Sequence, residues 1–522
     1  MKRTGRYVLS ALLAGAALPL GVAGSPPAQA ASRTYYVSTA GSDSNPGTSP
    51  SKPFRTLQKA ADSTAPGDAV SIMNGTYTER AGGSDVLAIS RSGRPGAPIT
   101  FQAHPGHHPV INPLTGWNGI RVSGASYIVI RGLEIKGDSE NISLAQAEQG
   151  ASTRKPKYNT NCLSVDRGAT SHHIDIIGNT VHHCPGGGIS AIDADHVTID
   201  HNHVYGNAWF SVFGQSGISI LTAKDSDAGD GRTYKIRITA NTVHDNETRV
   251  KWEHCQCYSD GNGIIIDTLK GHDYKGRVLV ANNVSYDNGG SGIHSYKSQH
   301  VDIVHNTAYQ NGRSTRMDPY ANIYAQDSTD VRVLNNVTSG RPGQPTNSQH
   351  RDVDVTYDYN VYYGGRAPEV KGPHDIVADP RFVKPGTGAG ADFRLGKGSP
   401  AIGTAEPFPA VTTDITGAGR AGGAPDRGAY AFIRNGTAPS AAPTMVGTDN
   451  GSPQNPLATP APGQGARPSA GTSASPGNDV RATGDGESLA RTGANVVVPL
   501  GMAAAALALG GGIIFLIRRK RS

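Results

Sequence analysis

The sequence predicts an all-β fold, a right-handed parallel β-helix, from a recurring asparagine, a second series of short strands and the lack of a leucine repeat. Six segments alternate between apolar and polar residues and end at an asparagine. These are Asn179, Asn202, Asn241, Asn283, Asn306 and Asn336. Their intervals of 23, 39, 42, 23 and 30 residues indicate one short repeat with insertions. A leucine-rich repeat would need leucine at fixed spacing, which this chain lacks.

The asparagines are expected to stack. In a parallel β-helix each coil pairs with the next, so equivalent turns lie above one another and their side-chain amides can hydrogen-bond. A second asparagine follows five residues later in four repeats, and Cys184 takes that place in the first. These asparagines are Asn207, Asn246, Asn288 and Asn311.

The second series of strands indicates which surface is open to binding. Its members are NGIRVS from 118, NCLSVD from 161, GGISAI from 187, SGISIL from 216, NGIIID from 262, SGIHSY from 291 and ANIYAQ from 321. Side chains alternate along a strand, and one set of alternate positions is almost entirely apolar. The opposite set includes Asp267, His294, Tyr296 and Tyr324, which we therefore expect to point away from the core.

A capping helix is predicted before the first coil, with Phe54, Leu57 and Ala61 on one face. The surrounding segment, YYVSTAGSDSNPGTSPSKPFRTLQKAADSTAPGDAVSIMNGTY, resembles the N-terminal cap of bacterial pectate-lyase-like β-helix proteins. This group includes family 9 polysaccharide lyases and several β-helix glycosidases. The later segment ADPRFVKPGTGAGADFRLGKGSPAIG resembles the end segment of the same group. The resemblance implies the β-helix over residues 31–434 but no single activity, because the fold hosts many.

The two ends of the chain predict export. Residues 1–30 combine a basic start, an apolar run and the sequence AQA, the pattern of a secretory signal peptide. Residues 435–488 are rich in Ala, Pro, Gly, Ser and Thr and contain no aromatic residue, so a disordered, wall-spanning linker is expected. Residues 496–517 carry no charge and are long enough for one transmembrane helix, which a basic tail follows.

The motif LARTG precedes that apolar segment. Leu489, Ala490, Thr492 and Gly493, with the span and the basic tail, resemble the LAxTG sorting signal of sortase substrates in high-GC Gram-positive bacteria. The resemblance covers residues 489–522. It implies sortase as a partner, covalent attachment to peptidoglycan and a location at the cell wall surface. A plain C-terminal membrane anchor is the alternative.

The net charge gives no reason to expect a nucleic-acid partner. The signal contributes +3 and the tail +4 to the formal charge of +6, which leaves −1 for the remainder. A nucleic-acid-binding protein would need a basic surface there. The exported chain is expected to be a monomer.

The outward positions predict a candidate site on neighbouring coils. Coils lie about 4.8 Å apart, so Asp267, His294, Tyr296 and Lys297 are expected within reach of one another, with Tyr324 on the next coil. Insertions on both sides would make this surface a groove, at residues 139–160, 223–234, 247–259 and 312–320.

The predicted walls of the groove carry residues suited to sugars. Trp252, Trp209 and Phe210 offer flat faces for sugar rings, and Arg249 suits an acidic group. The alternative is that these loops pack their own aromatic residues against the coils.

One possible reaction is β-elimination of an acidic polysaccharide. Lys297 or His294 would be the base, and Asp267 would orient it or bind Ca²⁺. Similarity to family 9 lyases would imply a Lys base beside an Asp cluster, DDxxD. Here Ser259-Asp260-Gly261-Asn262 stands at the matching strand, so Asp260 is interpreted as a turn residue and no clear metal-ligand cluster is identified.

Two other functions remain open. An inverting glycoside hydrolase needs two carboxyls about 6.5 to 9.5 Å apart, and Asp193 and Asp267 lie two coils apart, about 9.6 Å by the strand spacing. A non-catalytic adhesin or surface structural protein would give no reason for Asp, His and Lys to meet in a groove. Binding with cleavage of a polysaccharide, leaning towards a lyase, is the favoured function.

Four cysteines in an exported chain favour disulfides. Cys162 opens a strand and Cys184 lies in the following turn, so a bond between coils is expected. Cys255 and Cys257 stand beside His254, where metal binding is the alternative, although the spacing is short for zinc.

Overall fold

Three long parallel sheets make up almost all of the regular structure. The computed structural model describes residues 32–166, 171–388, 390–420 and 423–433. Within them, the sheets that we call A, B and C have 11, 11 and 9 strands. Sheet A consists of Thr34–Val37, Ala69–Ile72, Ile99–Ala103, Ser126–Arg131, His172–Ile177, Asp195–Asp200, Tyr234–Thr239, Arg277–Ala281, Gln299–Val304, Thr329–Leu334 and Val353–Asp358. Sheet B consists of Thr76–Tyr77, Val110–Ile111, Glu134–Lys136, Thr180–His182, His203–Tyr205, Thr242–His244, Val284–Tyr286, Thr307–Tyr309, Val337–Gly340, Val361–Gly364 and Ile376–Val377. Sheet C consists of Leu87–Ile89, Asn118–Ser123, Asn161–Asp166, Ile189–Ile192, Ile218–Leu221, Ile264–Asp267, Ile293–Tyr296, Ile323–Gln326 and Asn347–His350.

Each full coil runs from a C strand to an A strand and then to a B strand before it reaches the next C strand. Corresponding strands pair in parallel, so Ile264 lies between Ile218 and Ile293. This is the parallel β-helix that the sequence predicts, and the second strand series forms most of sheet C.

The core is a column of apolar side chains inside the coils. One row of it lies on sheet C, and each member is at most 1% exposed: Ile120, Leu163, Ile189, Ile218, Ile264, Ile293 and Ile323. Like residues stack on like residues, so each coil buries its apolar face against its neighbours, which is what stabilises a repeat fold.

Two asparagine ladders connect the coils. The Nδ2 of Asn283 donates to Oδ1 of Asn306, and Nδ2 of Asn241 donates to Oδ1 of Asn283, both at 3.0 Å. This ladder also contains Asn179, Asn202, Asn336 and Asn360. The second ladder contains Asn207, Asn246, Asn288, Asn311 and Asn322. The predicted stacking of the asparagines is confirmed.

The helix Leu57–Ser63 begins after Thr56, whose side chain accepts the N–H of Lys59. Phe54, Leu57 and Ala61 are all buried in the core. Phe54 is not on the helix as predicted, because it lies before the first helical residue and forms a β-bridge with Val37.

An antiparallel pair of strands lies near the other end, Phe382–Lys384 with Asp392–Leu395. It packs Phe393 against Tyr286 and Tyr309 of sheet B.

The insertions contain the other short helices. These are Leu144–Gly150 and Pro156–Asn159, with 3-10 turns at Ser139–Asn141 and Ala151–Thr153. A further 3-10 turn, Lys270–His272, follows the strand Ile264–Asp267. Within the described part of the chain, no helix is long and apolar enough to cross a membrane. The predicted signal peptide, linker, transmembrane segment and sorting motif lie outside the described residues.

The four cysteines form two disulfides. Cys162–Cys184 spans 22 residues and closes one turn of the coil, and Cys255–Cys257 closes a tight turn in the 247–259 insertion. Neither Cys255 nor Cys257 is therefore a free thiolate for a metal.

Candidate functional site

The outer face of sheet C carries the candidate site. The strand Ile264–Asp267 ends with an acid because Ile264 and Ile266 fill the core and leave Asp267 outside. Asp267 pairs in register with Tyr296. The neighbouring outward column consists of Ile265, His294 and Tyr324.

The carboxyl of Asp267 is partly buried. Thr268 Oγ1 donates a hydrogen bond of 2.6 Å to it. Burial, assisted by the carboxylate of Asp260 and opposed by Thr268 and Lys297, raises the pKa of Asp267 to about 7. A carboxyl that titrates near neutrality can exchange a proton during catalysis.

Asp260, for which the sequence indicates only a turn residue, belongs to the same site. It does adopt a left-handed turn backbone, with φ 67. A methyl group added at Gly214 would lie 2.8 Å from Oδ2 of Asp260 and 3.5 Å from Cδ2 of Trp252, so this carboxylate is closely packed. Burial raises the pKa of Asp260 to about 6. The sequence could have indicated this role for Asp260, because this acid stands at the strand where the family 9 lyases that the sequence resembles would have an Asp cluster.

The turn that carries Asp260 is fixed to both neighbouring coils. Gly261, with φ 64, donates its N–H to the carbonyl of Gln215 at 2.8 Å. Asn262 is buried; its Nδ2 donates to Oγ of Ser216 at 3.1 Å, and its Oδ1 accepts the N–H of Ser291 at 2.9 Å. These bonds determine where the side chain of Asp260 lies.

His294 and Tyr324 form the floor of the site. Both point outward from sheet C, yet they are only 5% and 4% exposed. Their rings stack with centroids 4.6 Å apart, and Tyr320, from the 312–320 insertion, stacks on Tyr324 at 6.4 Å. Burial lowers the pKa of His294 to about 3. The ring is therefore neutral near pH 7 and too weak a base for the predicted role.

Lys297 lies at the rim of the site. It follows the strand Ile293–Tyr296 in a left-handed turn, with φ 45, and its side chain is exposed. Its Nζ lies 4.9 Å from the ring centroid of Tyr296. Its charge acts on Asp267, and its role as a base stays a prediction.

Asp193, the acid that the sequence pairs with Asp267, contacts side chains of the next coil. It follows the strand Ile189–Ile192, two strands from that of Asp267. Its carboxylate accepts a hydrogen bond from Thr222 at 2.8 Å and pairs with Lys224 at 3.1 Å. The second carboxyl that acts on Asp267 belongs to Asp260 instead.

The walls bury part of their own aromatic surface. Phe210 is 3% exposed and belongs to a buried cluster with Ile142, Ala147 and Val250, which two of the insertions contribute. The guanidinium of Arg249 lies 3.7 Å from the ring centroid of Trp209 and pairs with Glu247 at 3.3 Å. This pairing weakens the case for Arg249 as a ligand of an acidic sugar. Trp252 is only partly buried, and it lies near Gly214, as Asp260 does.

The donor set does not fit the calcium site that the resemblance to family 9 lyases implies. Ca²⁺ takes about six to eight oxygen ligands, whereas the described part of this site offers two carboxyls, those of Asp260 and Asp267. Elsewhere in the described residues, three potential ligands lie within 4.8 Å of one another: Asp195, His196 and Asp227. Nζ of Lys235 already pairs with both of these carboxylates, at 3.0 and 2.6 Å.

Comparisons of sequence match only part of the chain. The uncharacterized protein YwoF of Bacillus subtilis (strain 168) is 39% identical over 107 residues, which are 19% of this chain and 21% of the relative. The chain thus matches about a fifth of the length of that curated relative. Residues 35–210 match the family model described as Pel9A-like, right handed beta helix region.

Solved structures with a similar fold include three enzymes. Pectate lyase Pel9A is 17% identical, with a TM-score of 0.46 over 77% of this chain and 96% of that one. The GH136 lacto-N-biosidase from Eubacterium ramulus is 16% identical, with a TM-score of 0.41 over 66% and 67%. An alginate lyase from Paenibacillus sp. str. FPU-7 is 18% identical, with a TM-score of 0.34 over 62% and 94%. Identities and TM-scores this low assign no activity to this chain. The family model that matches residues 35–210 supports the right-handed β-helix.

Proposed function

We propose that the protein is a glycoside hydrolase that cleaves a polysaccharide at the outer face of sheet C. The observation that carries this proposal is a pair of partly buried carboxyls, Asp260 and Asp267, whose pKa values are raised to about 6 and about 7. Glycoside hydrolysis needs two carboxyls, one protonated to release the leaving group and one ionised to attack or to activate water.

Because both pKa values are raised, one of the two carboxyls can be protonated while the other is ionised. The carboxyls of Asp260 and Asp267 interact, so they titrate as a pair. Between about pH 6 and about pH 7 the pair holds close to one proton, whereas both groups are protonated at lower pH and both are ionised at higher pH. We therefore expect a bell-shaped pH profile of hydrolysis with its maximum in this interval.

Aromatic rings beside the acids suit a sugar. Trp252, Tyr296 and Tyr320 are partly buried and keep exposed ring surface. Flat aromatic faces pack well against the apolar faces of sugar rings. An adhesin would have the same use for these rings, but it would not need two carboxyls that titrate near neutrality.

β-Elimination has less support from this arrangement. That reaction needs a cation beside the carboxylate of the sugar, and here two acids accompany one exposed lysine, Lys297. Unsaturated products, with activity lost in Lys297→Ala, would favour the lyase over the hydrolase.

The test is turnover of a panel of neutral and uronic-acid glycans, measured as reducing ends and as ultraviolet absorbance of unsaturated products. Asp260→Asn and Asp267→Asn should each lower turnover by about a hundredfold or more. Asp193→Asn is the matched control, since this acid lies on the same face but pairs with Lys224. Full activity in either of the first two variants would refute the carboxyl pair. Binding without turnover would indicate an adhesin.

We also propose that the protein acts at the cell surface, exported by its signal peptide and joined to peptidoglycan by sortase. The order of signal, linker and LARTG motif in the sequence supports this location. Thr492→Ala should change a protein released by wall-digesting enzymes into one extracted by detergent. Unchanged wall attachment in this variant would count against sortase.

A further inference from the structure

One ring nitrogen of His294 is hydrogen-bonded to a neighbouring side chain, and the other makes no hydrogen bond to the described residues. Its Nδ1 lies 2.5 Å from Oγ of Ser291. Its Nε2 makes no hydrogen bond to the part of the chain that the structure describes, and this atom is not closed off from solvent. Since the ring lies in the outward column beside Asp267, Nε2 is a free polar contact on the floor of the site.

The hydrogen bonds around Ser291 determine which nitrogen carries the proton. The N–H of Ser291 can only donate, so the atom of Asn262 that it meets at 2.9 Å is the oxygen Oδ1. The Oγ of Ser291 lies 3.1 Å from the same oxygen and donates to it. Because that hydroxyl has one proton, its oxygen must accept from Nδ1 of His294. If Oγ of Ser291 instead donated its proton to Nδ1 of His294, no proton would lie between Oγ and Oδ1 of Asn262, and two acceptors would face each other.

The unprotonated nitrogen is therefore Nε2. Burial lowers the pKa of His294 to about 3, which keeps the ring neutral. Stacking on Tyr324 holds the ring in place. A neutral imidazole with Nδ1 protonated can only accept at Nε2, so its ligand must donate a hydrogen bond.

We propose that the site binds a neutral sugar, one of whose hydroxyl groups donates to Nε2 of His294, and rejects a uronate carboxylate at this position. A carboxylate has no proton to donate, and it would also meet the acidic pair Asp260 and Asp267. This inference rests on the proposed function for the presence of a sugar, but the protonation state of His294 stands independently of it.

Lys297 does not reverse this preference. Its side chain is exposed at the rim, beyond the end of the strand, and its Nζ lies over the ring of Tyr296. A solvated lysine at the rim attracts anions weakly because water screens its charge.

The first arm of the test measures the protonation state directly. Histidine labelled with ¹⁵N is followed in the whole protein by long-range proton–nitrogen correlation between about pH 5 and about pH 8, and His294→Phe identifies the signal. We expect protonated Nδ1, unprotonated Nε2 and no titration in this range. A protonated Nε2, or a titration near the ordinary pKa, would overturn the inference whether or not the protein hydrolyses glycans.

The second arm compares matched oligosaccharides, galactose with galacturonate, glucose with glucuronate and mannose with mannuronate, of equal length and linkage. Binding is measured on Asp267→Asn so that the ligand is not consumed. We expect a neutral member to bind about tenfold or more tightly than its uronate, which is the effect of one hydrogen bond.

Variants of His294 on the same background separate recognition from folding. His294→Phe should remove the preference, while His294→Gln should keep most of it because its amide oxygen can accept in place of Nε2. Preference for a uronate would overturn the inference and leave hydrolysis standing. Failure of every neutral oligosaccharide to bind would overturn the inference, and the turnover panel then decides the proposed function separately.

Discussion

Replacing Asn283 by leucine should destabilise the coil stack by breaking its asparagine ladder. The Oδ1 of Asn283 accepts from the backbone N–H and from Nδ2 of Asn241, at 2.9 and 3.0 Å. Its Nδ2 donates to the carbonyl of Ile238 at 2.8 Å and to Oδ1 of Asn306 at 3.0 Å. Leucine has a similar volume but can make none of these bonds.

The cost can be worked out group by group. The N–H of Asn241 loses its side-chain acceptor, and a buried unpaired donor costs about 1 to 3 kcal/mol. Its Nδ2 still donates to Ile199, and Oδ1 of Asn306 still accepts the N–H of residue 283. These two groups and the carbonyl of Ile238 therefore lose one bond each, worth about 0.5 to 1.5 kcal/mol. Because Asn283 is fully buried and relaxation is limited, we expect a total loss of about 2.5 to 7.5 kcal/mol.

The assay is the free energy of unfolding from urea denaturation, followed by circular dichroism. Asn141→Leu is the control, since Asn141 is exposed and its amide bonds to neighbouring Asp138. It should change stability by no more than about 0.5 kcal/mol. An Asn283→Leu protein as stable as the wild type would refute the ladder. Equal losses in both variants would show that the ladder is not the cause.

Three further predictions concern the coil closure and the site. Replacing both Cys162 and Cys184 by alanine should lower the free energy of unfolding by about 3 kcal/mol, because their disulfide closes a loop of about 22 residues. A wild-type protein that is equally stable with and without reductant would contradict this prediction. Gly214→Ala should lower kcat by about tenfold or more. The new methyl group would lie 2.8 Å from Oδ2 of Asp260, and the backbone φ of +59 at this position strains a residue other than glycine. An unchanged kcat would show that the position of Asp260 is unimportant for turnover. The pKa of Asp267 is raised in the folded protein, so its contribution to stability is fully present below its ordinary pKa and is lost as pH rises through about 7. Asp267→Asn should therefore melt at a higher temperature than the wild type at about pH 8 but not at about pH 4, and the same difference at both values would contradict the raised pKa.

The sequence alone determines the coil architecture, because the information for it is local and repeated. The period of two in side-chain direction places Ile264 and Ile266 inside and Asp267 outside. The spacing of residues such as Asn283 sets the turns of the coil. Both signals act within one repeat and its nearest neighbours, so no distant part of the chain is needed to read them.

The tertiary structure alone decided which outward residues form a site. Asp260 has the local sequence of a turn, yet burial in the folded chain, where its carboxyl lies close to Gly214, raises the pKa of that carboxyl. Asp193 and Arg249 have the sequence pattern of site residues, yet Lys224 and Glu247 already pair with them. Burial and ion pairing depend on insertions that lie outside the repeat, so the pattern that specifies the fold cannot specify the pKa of a side chain on its surface.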